Sequence, residues 1–247
     1  MAIDPQTRAI LAAMTVEGVV AKLPAQQLAR PVYDKVNKAL VALGGKWNRR
    51  QGGHVFASDP SALLRDGVET GAVEKIKTKF QFFETPADLA ARMAGLARIE
   101  KGTRVLEPSA GHGRLALAAR ALGGEVTTFD VNPSCCAQLA GQGFTTRQTD
   151  FTQEEPVEPL FDVVLMNPPF AGRQDIQHIT LAWEWLRPGG RLVAICSAGS
   201  LVNGAAVDLA FQGFVWRVSA HVEPLPAGTF QESGTMVRAA LIVAVRS

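Results

Sequence analysis

The apolar positions of the second two thirds of this chain alternate between two rhythms. Val105-Leu106, Glu125-Val126-Thr127-Thr128-Phe129-Asp130, Gly143 to Phe151, Phe161-Asp162-Val163-Val164-Leu165-Met166 and Arg191-Leu192-Val193-Ala194-Ile195-Cys196 are short runs. Runs of this kind read as strands, the most apolar of them buried on both faces as in parallel sheets. Between them lie stretches of helical character. Leu115-Ala116-Leu117-Ala118-Ala119-Arg120 is rich in helix formers, and Asp175 to Leu186 carries Ile176, Ile179, Ala182, Trp183 and Leu186 on one stripe. Arg187-Pro188-Gly189-Gly190 reads as a stop and turn. Further on, Val207 to Phe214 predicts a helix, Val215 to Val222 a strand, and Met236 to Val245 a last strand. The alternation predicts an α/β fold, with helices on both faces of a mostly parallel sheet.

The first 80 residues read differently. Val32, Val36, Leu40 and Leu43 form the apolar side of a helix that stops at Gly44-Gly45. A Gly-rich hairpin follows, with Trp47 in one arm and Val55-Phe56 in the other. The expected division is a small α/β-hairpin extension over residues 1–80 and a main domain over residues 81–247.

Charge sharpens this division. Residues 1–80 hold 12 Lys/Arg against 7 Asp/Glu, whereas residues 81–247 hold 13 against 16. The basic surplus gathers at Lys35, Lys38, Lys46, Arg49 and Arg50 and again at Lys75, Lys77 and Lys79. For any one of these residues a solvated surface is the plainer reading. Together, Lys46, Arg49 and Arg50 on a hairpin arm suit contacts to phosphates. Hydrophobic residues make up 47% of the chain, ample for a core, and no apolar run reaches membrane-span length. Met1-Ala2-Ile3-Asp4 lacks the character of a secretory signal. The three cysteines, Cys135, Cys136 and Cys196, have no metal-binding spacing and read as reduced, packed thiols of a cytoplasmic protein.

The chemistry concentrates in Asn167-Pro168-Pro169-Phe170. This tetrapeptide follows the fourth run and so sits at a strand's carboxyl end, where open α/β sheets bind ligands. Two prolines fix φ twice, remove two donors and push Asn167 out of the helical region. What remains are acceptors: the Asn167 side-chain oxygen and the carbonyls of Asn167 and Pro168. A planar amino group such as adenine's carries two donors for them, and Phe170 can stack on its ring. Taken alone, the tetrapeptide is also compatible with a plain turn.

Other loops change the balance. Glu107-Pro108-Ser109-Ala110-Gly111-His112-Gly113 joins the first run to its helix, and Gly111 and Gly113 permit close backbone approach to a ligand. The third glycine of the dinucleotide fingerprint is absent, Ala116 standing in its place. About twenty residues on, the second run ends in Asp130, placed to grip a ribose diol. The third ends in Asp150-Phe151, an acid and a ring suited to an adenine.

In this order the segments resemble a class I S-adenosylmethionine-dependent methyltransferase of the amino-methylating DNA type, from about Phe82 to the C-terminus. Phe83-Glu84-Thr85-Pro86 and the helix Ala87 to Ala97 resemble the family's motif X, ahead of motif I as in the gamma order. Glu107 to Gly113 resembles motif I, Asp130 the motif II acid, Asp150-Phe151 motif III and Asn167 to Phe170 motif IV. The resemblance implies a Rossmann-like seven-stranded sheet whose final strand is antiparallel. It also implies S-adenosyl-L-methionine as cofactor, held by Phe83, Thr85, Pro86, Glu107, Pro108, Ser109, Ala110, Gly111, Gly113, Asp130, Val131, Asp150, Phe151 and Asn167. Catalysis would fall to Asn167, Pro168, Pro169 and Phe170, acting on N6 of a flipped adenine in DNA. Phe230, in the Gly/Pro-rich segment Pro224 to Thr235, would face that base, with plain hairpin packing an equal reading. No metal is implied. His112 and Arg114 depart from the small residues such a loop favours, and His112 reads as a solvated loop residue. RNA bases, cytosine N4, protein glutamine and a non-catalytic binding role are the competing readings. The tetrapeptide is shared among amino-methylating enzymes, and the residues that would read a recognition sequence lie outside it.

Overall fold

The computed structural model describes residues 1–25, 27–56, 59–73, 83–157, 160–231 and 235–247. It divides into two units, Met1–Gln81 and Phe82–Ser247. Lys75, Lys77 and Lys79, and residues 232–234 of the Gly/Pro-rich segment, lie outside the described residues.

The first unit is built from α1 (Pro5–Ala12), β1 (Thr15–Glu17), β2 (Val20–Lys22), α2 (Arg30–Ala42), β3 (Lys46–Asn48), β4 (Gly53–Val55) and α3 (Ser61–Thr70). The expected hairpin is β3–β4, but it belongs to a four-stranded antiparallel sheet of order β1-β2-β4-β3. Val36 and Leu40 of α2 are fully buried against Ala21, Leu43, Phe56 and Leu64. Gly44, at φ of +88°, ends the helix, and Gly45 follows where a Cβ would lie 2.6 Å from the Phe56 ring. At the hairpin tip Asn48 Oδ1 accepts from the amides of Arg50 and Gln51, at 2.9 and 3.2 Å, the local bond that favours Asn in turns.

The second unit carries α4 (Ala87–Leu96), β5 (Arg104–Glu107), α5 (Arg114–Ala121), β6 (Glu125–Asp130), α6 (Pro133–Gly141), β7 (Thr145–Gln148), β8 (Phe161–Met166), α7 (Gln174–Glu184), β9 (Leu186–Ser197), α8 (Ala206–Arg217), β10 (His221–Pro224) and β11 (Ala239–Val245). Its seven-stranded sheet has the order β10-β11-β9-β8-β5-β6-β7. Neighbours from β9 to β7 pair in parallel, and β11 runs antiparallel to both β9 and β10, as expected.

Strand alternation sorts the core into two layers. Val105, Val163, Leu165, Val193, Ile195 and Leu241 face one side and pack with Leu89 and Met93 of α4 and Leu115 of α5. Their neighbours Leu106, Val164, Met166, Leu192, Ala194, Cys196 and Ile242 face the other, against Ile176, Ile179 and Trp183 of α7 and Phe211, Phe214 and Val215 of α8. Both faces are thus covered by helix, and Trp183 and Trp185 are core residues.

Two expectations need correction. Arg187-Pro188-Gly189-Gly190 is not a turn between elements but an irregularity inside β9, which starts at Leu186 opposite Phe161 and shifts register before Arg191 pairs with Val163. Gly189 has φ of +78°, and a Cβ on Gly190 would lie 2.8 Å from the Arg187 carbonyl. The strand expected over Val215 to Val222 also fails at its start. Helix α8 continues to Arg217 because Phe211, Phe214 and Val215 share a buried helical face, and β10 begins at His221.

Candidate active site

Three loops converge at the carboxyl ends of β5, β6 and β8. The first begins at Glu107, whose side chain is 2% exposed. The amide of Ala116, in the first turn of α5, donates to its carboxylate, while Oε2 is buried without a partner among the described residues. Burial pushes the Glu107 carboxyl well above the usual carboxylate range, and the nearby Asp130 charge adds to the shift. Pro108, Ala110, Gly111 and Gly113 are buried, Ser109 half-buried. Gly113 starts α5 with φ of +81°, and a Cβ there would lie 2.7 Å from Leu139 Cδ2, so both conformation and space require glycine.

Asp130 braces this loop. Its Oδ2 accepts from the Gly111 amide at 2.7 Å and its Oδ1 from the Asn132 amide at 2.7 Å. Desolvation raises its pKa, and these backbone bonds oppose the rise. The Val131 amide bonds to the carboxylate as well, which leaves it one acceptor site. Val131, next in the chain, is exposed. Asp150 is exposed and caps a short 3₁₀ turn, with Oδ1 accepting from Thr152 N–H at 2.9 Å. Phe151, expected to offer its ring, is instead enclosed at 1% exposure by Phe129, Trp185 and His178, with ring centroids 5.6, 5.4 and 5.9 Å away.

His178, which the sequence reading passed over, reaches the glycine loop. It lies on α7, buried, with Nδ1 3.0 Å from Ser109 Oγ and its ring against Phe151. Desolvation lowers its pKa to about 4, so the imidazole is neutral near pH 7. The signal was present in the stripe itself: Asp175 and His178 sit at i and i+3 on the buried side of α7.

The third loop holds Asn167. Its Nδ2 donates to the Phe83 carbonyl and to Thr85 Oγ1, both at 3.1 Å. A carbonyl can only accept, so these contacts assign the amide: nitrogen toward residues 83–85, Oδ1 left as acceptor. Thr85 is 5% exposed and Pro86 directly precedes α4. Pro168 is buried, while Pro169 and Phe170 are half-buried. The Phe170 ring meets Phe230 edge to face at 6.4 Å. Phe230, at 1% exposure, belongs to the core and reaches the loop through Phe170. After Phe170 the backbone is unusual, with Gly172 and Arg173 both at positive φ, and Arg173 is held by a two-pronged bond to the buried Asp208 at 2.6 and 2.7 Å.

In the first unit, Lys46, Arg49 and Arg50 are exposed and have no ion pair among the described residues. Pairing of Trp47 with His54 and of Lys46 with Val55 places Trp47 and Lys46 on opposite sheet faces. Cys135, Cys136 and Cys196 are buried free thiols, with burial pushing Cys136 up to about 11 and the other two higher still. Among the described residues no group of three or more His, Cys, Asp or Glu could hold a metal, and no helix is long and apolar enough to cross a membrane.

No family model matches this chain, and no curated protein matches it in sequence. Solved structures do match in shape. A protein from Vibrio vulnificus, described as a modification subunit of a type I restriction enzyme, has a TM-score of 0.57 at 18% identity, over 88% of this chain and 53% of its own. A class I S-adenosylmethionine-dependent methyltransferase from Listeria monocytogenes gives 0.56 at 14% identity, over 74% and 67%. A Pyrococcus horikoshii protein, described as an RNA methyltransferase, gives 0.53 at 20% identity, over 69% and 89%. With the strand order and the antiparallel β11, these matches establish that the second unit has the class I, Rossmann-like methyltransferase fold.

Proposed function

We propose that this chain transfers a methyl group from S-adenosyl-L-methionine to the N6 amino group of an adenine in DNA. The observation that carries the reading is the orientation of Asn167. With both amide protons engaged by Phe83 and Thr85, Oδ1 is the atom offered to a substrate. Neither Pro168 nor Pro169 has an N–H, so the loop presents acceptors to an amino group.

The residues suit the cofactor. Glu107 holds a buried acceptor with nothing to accept, which an amino group would satisfy. Gly111 and Gly113 leave room for a ligand, Asp130 retains an acceptor site for a ribose hydroxyl, and the exposed Asp150 suits an amino group on a ring. When bound, S-adenosyl-L-methionine supplies a methyl group on a good leaving group. The protein's part is positioning. Asn167 Oδ1 and the Pro168 carbonyl would accept hydrogen bonds from the two N6–H groups and draw the nitrogen toward a tetrahedral shape, freeing its lone pair to bond the methyl carbon as the carbon–sulfur bond breaks, with the surplus N6 proton then leaving to water. Phe170 stacks on the extruded ring. Preorganised acceptors and orientation, not general-base transfer, carry the rate.

DNA is favoured by the order of segments, with residues 83–86 ahead of the glycine loop, by Phe170 and by the basic hairpin of residues 46–56. The first unit would supply phosphate contacts through Lys46, Arg49 and Arg50, and the second unit the catalysis. The likeness to a type I modification subunit supports this choice, and the likeness to a protein described as an RNA methyltransferase keeps RNA as the second reading.

Transfer of tritium from labelled cofactor to DNA, RNA and protein tests the proposal, and digestion to nucleosides names the base. N6-methyladenine in DNA is expected. Label in RNA or in N4-methylcytosine would reassign the substrate. Asn167→Ala is expected to abolish transfer while cofactor binding survives, and an Asn167→Ala protein of near-normal activity would refute the role of this residue.

A further inference from the structure

Residues 83–85 form a short strip directly ahead of Pro86 and α4. Phe83 and Thr85 hold Asn167 through the carbonyl and the hydroxyl. Glu84, between them, turns to the glycine loop. Its Oε2 lies 2.8 Å from an Arg114 terminal nitrogen and its Oε1 3.3 Å from Arg114 Nε, a two-pronged pair, with His112 Nδ1 at 3.9 Å. The two bulky residues that depart from a small-residue cofactor loop are thus the ones that reach Glu84.

We infer that Glu84 is a positioning residue: with Arg114 it clasps the cofactor loop to the strip that orients Asn167, so that filling the cofactor site sets the catalytic amide. This rests on the methyl-transfer reading of the site. The physical basis is geometric. Gly111, His112 and Gly113 are the loop that a cofactor would press on, and Arg114 begins α5 directly behind them. A shift of Arg114 is passed to Glu84 through two hydrogen bonds. Glu84 lies between Phe83 and Thr85 in the chain, so the shift arrives at both groups that hold Nδ2. The ion pair is partly exposed, so it contributes little to folding and its loss leaves the protein intact. Its effect is in coupling, and coupling energies of this kind change affinities or populations by roughly 5- to 150-fold.

The test reads Asn167 directly and needs no substrate. In ¹⁵N-labelled protein the side-chain NH₂ resonances of Asn167 are assigned by their loss in Asn167→Asp. S-adenosylhomocysteine is then titrated into the wild type, Glu84→Gln and Arg114→Gln, with its Kd measured by calorimetry on the same samples. The expected result is a shift of the Asn167 resonances in the wild type that is lost in both variants, with binding still measurable but weakened about tenfold, as the reciprocity of coupling requires. In turnover, kcat of Glu84→Gln should fall about tenfold, and cofactor affinity should fall with it. The exchanged pair Glu84→Arg with Arg114→Glu should restore the response. A response that persists unchanged in Glu84→Gln, or is absent from a wild type that binds the ligand and transfers methyl groups, overturns the clasp alone. A wild type that does not bind S-adenosylhomocysteine overturns the methyl-transfer reading and the clasp with it.

Discussion

Asn167 Nδ2 lies 3.1 Å from Thr85 Oγ1, and this contact across 82 residues of chain fixes which end of the amide faces outward. Thr85→Val keeps the shape of the buried side chain and removes the acceptor. The amide then keeps the Phe83 carbonyl and loses its second anchor, so it samples other orientations. The expected outcome is a fall in kcat of about tenfold, a little over 1 kcal/mol, with cofactor affinity retained. Thr85→Ser, which keeps the hydroxyl, should recover most of the rate. Steady-state kinetics of the two variants decide the matter: equal rates would mean the hydroxyl does not orient Asn167.

Phe170 and Phe230 touch edge to face, yet they differ in what their loss should do. Phe230 is 1% exposed and packed among core residues. Phe230→Ala should therefore destabilise the second unit by about 3–5 kcal/mol, the usual cost of a large-to-small change in a core. Phe170 is only partly buried, so Phe170→Ala should cost about 1–2 kcal/mol and abolish methyl transfer instead. Urea unfolding and methyl transfer on the same samples separate the roles. A stable but inactive Phe230→Ala would return Phe230 to the substrate surface.

The larger features of this fold were legible because each was repeated. The alternation of apolar runs and helical stripes specified the sheet and both covering layers, and Glu107, Asp130, Asp150 and Asn167 lie at or just after the ends of successive parallel strands, as their order suggested. Short elements were legible only where a Gly-rich turn marked them, as between β3 and β4. Strands β1 and β2 have three residues each, too few to show a period, and their register comes from pairing with one another and with β4. Arg187 to Gly190 misled because a Pro-Gly-Gly signal marks a sharp backbone change and not whether the strand resumes after it. His178 and Glu84 were missed for a third reason. Their roles are contacts to Ser109 and Arg114, which lie 69 and 30 residues away, and no local pattern reports a contact of that span.

His178 makes an acid-stability prediction whose sign can be worked out. The unfolded imidazole takes up a proton as the pH falls through 6.5, whereas the folded one, desolvated between Ser109 and Phe151, stays neutral until about 4. Across that window the unfolded state binds more protons, so folding stability declines as the pH drops, by on the order of 3 kcal/mol in total. His178→Gln, which does not titrate, should flatten the profile. Melting temperatures of wild type and variant between pH 7 and 5 test this. The buried His54 of the first unit titrates in the same sense but is common to both proteins, so it cancels in their difference. Parallel profiles would show that His178 protonates without cost.

Glu107 predicts that cofactor binding is linked to proton release. Burial holds its carboxyl well above 4.5, with Oε2 unpartnered. Protonation is what makes a buried carboxyl tolerable there, and it adds stability to the free protein that is lost as the pH rises through the shifted value. A bound amino cation would favour the carboxylate and lower that value. Between the bound and free values, binding therefore expels a proton, and affinity should increase with pH, by up to tenfold per unit where the group is fully protonated in the free protein. Calorimetric titration of S-adenosylhomocysteine in buffers of different ionisation enthalpy counts the protons. Release should be seen in the wild type and be absent from Glu107→Gln. The same variant, relieved of a buried carboxylate, should be more stable than the wild type at alkaline pH without ligand, yet bind the cofactor more weakly. If Glu107→Gln binds as well as the wild type with the same proton count, the unpartnered oxygen is not the atom that receives the amine.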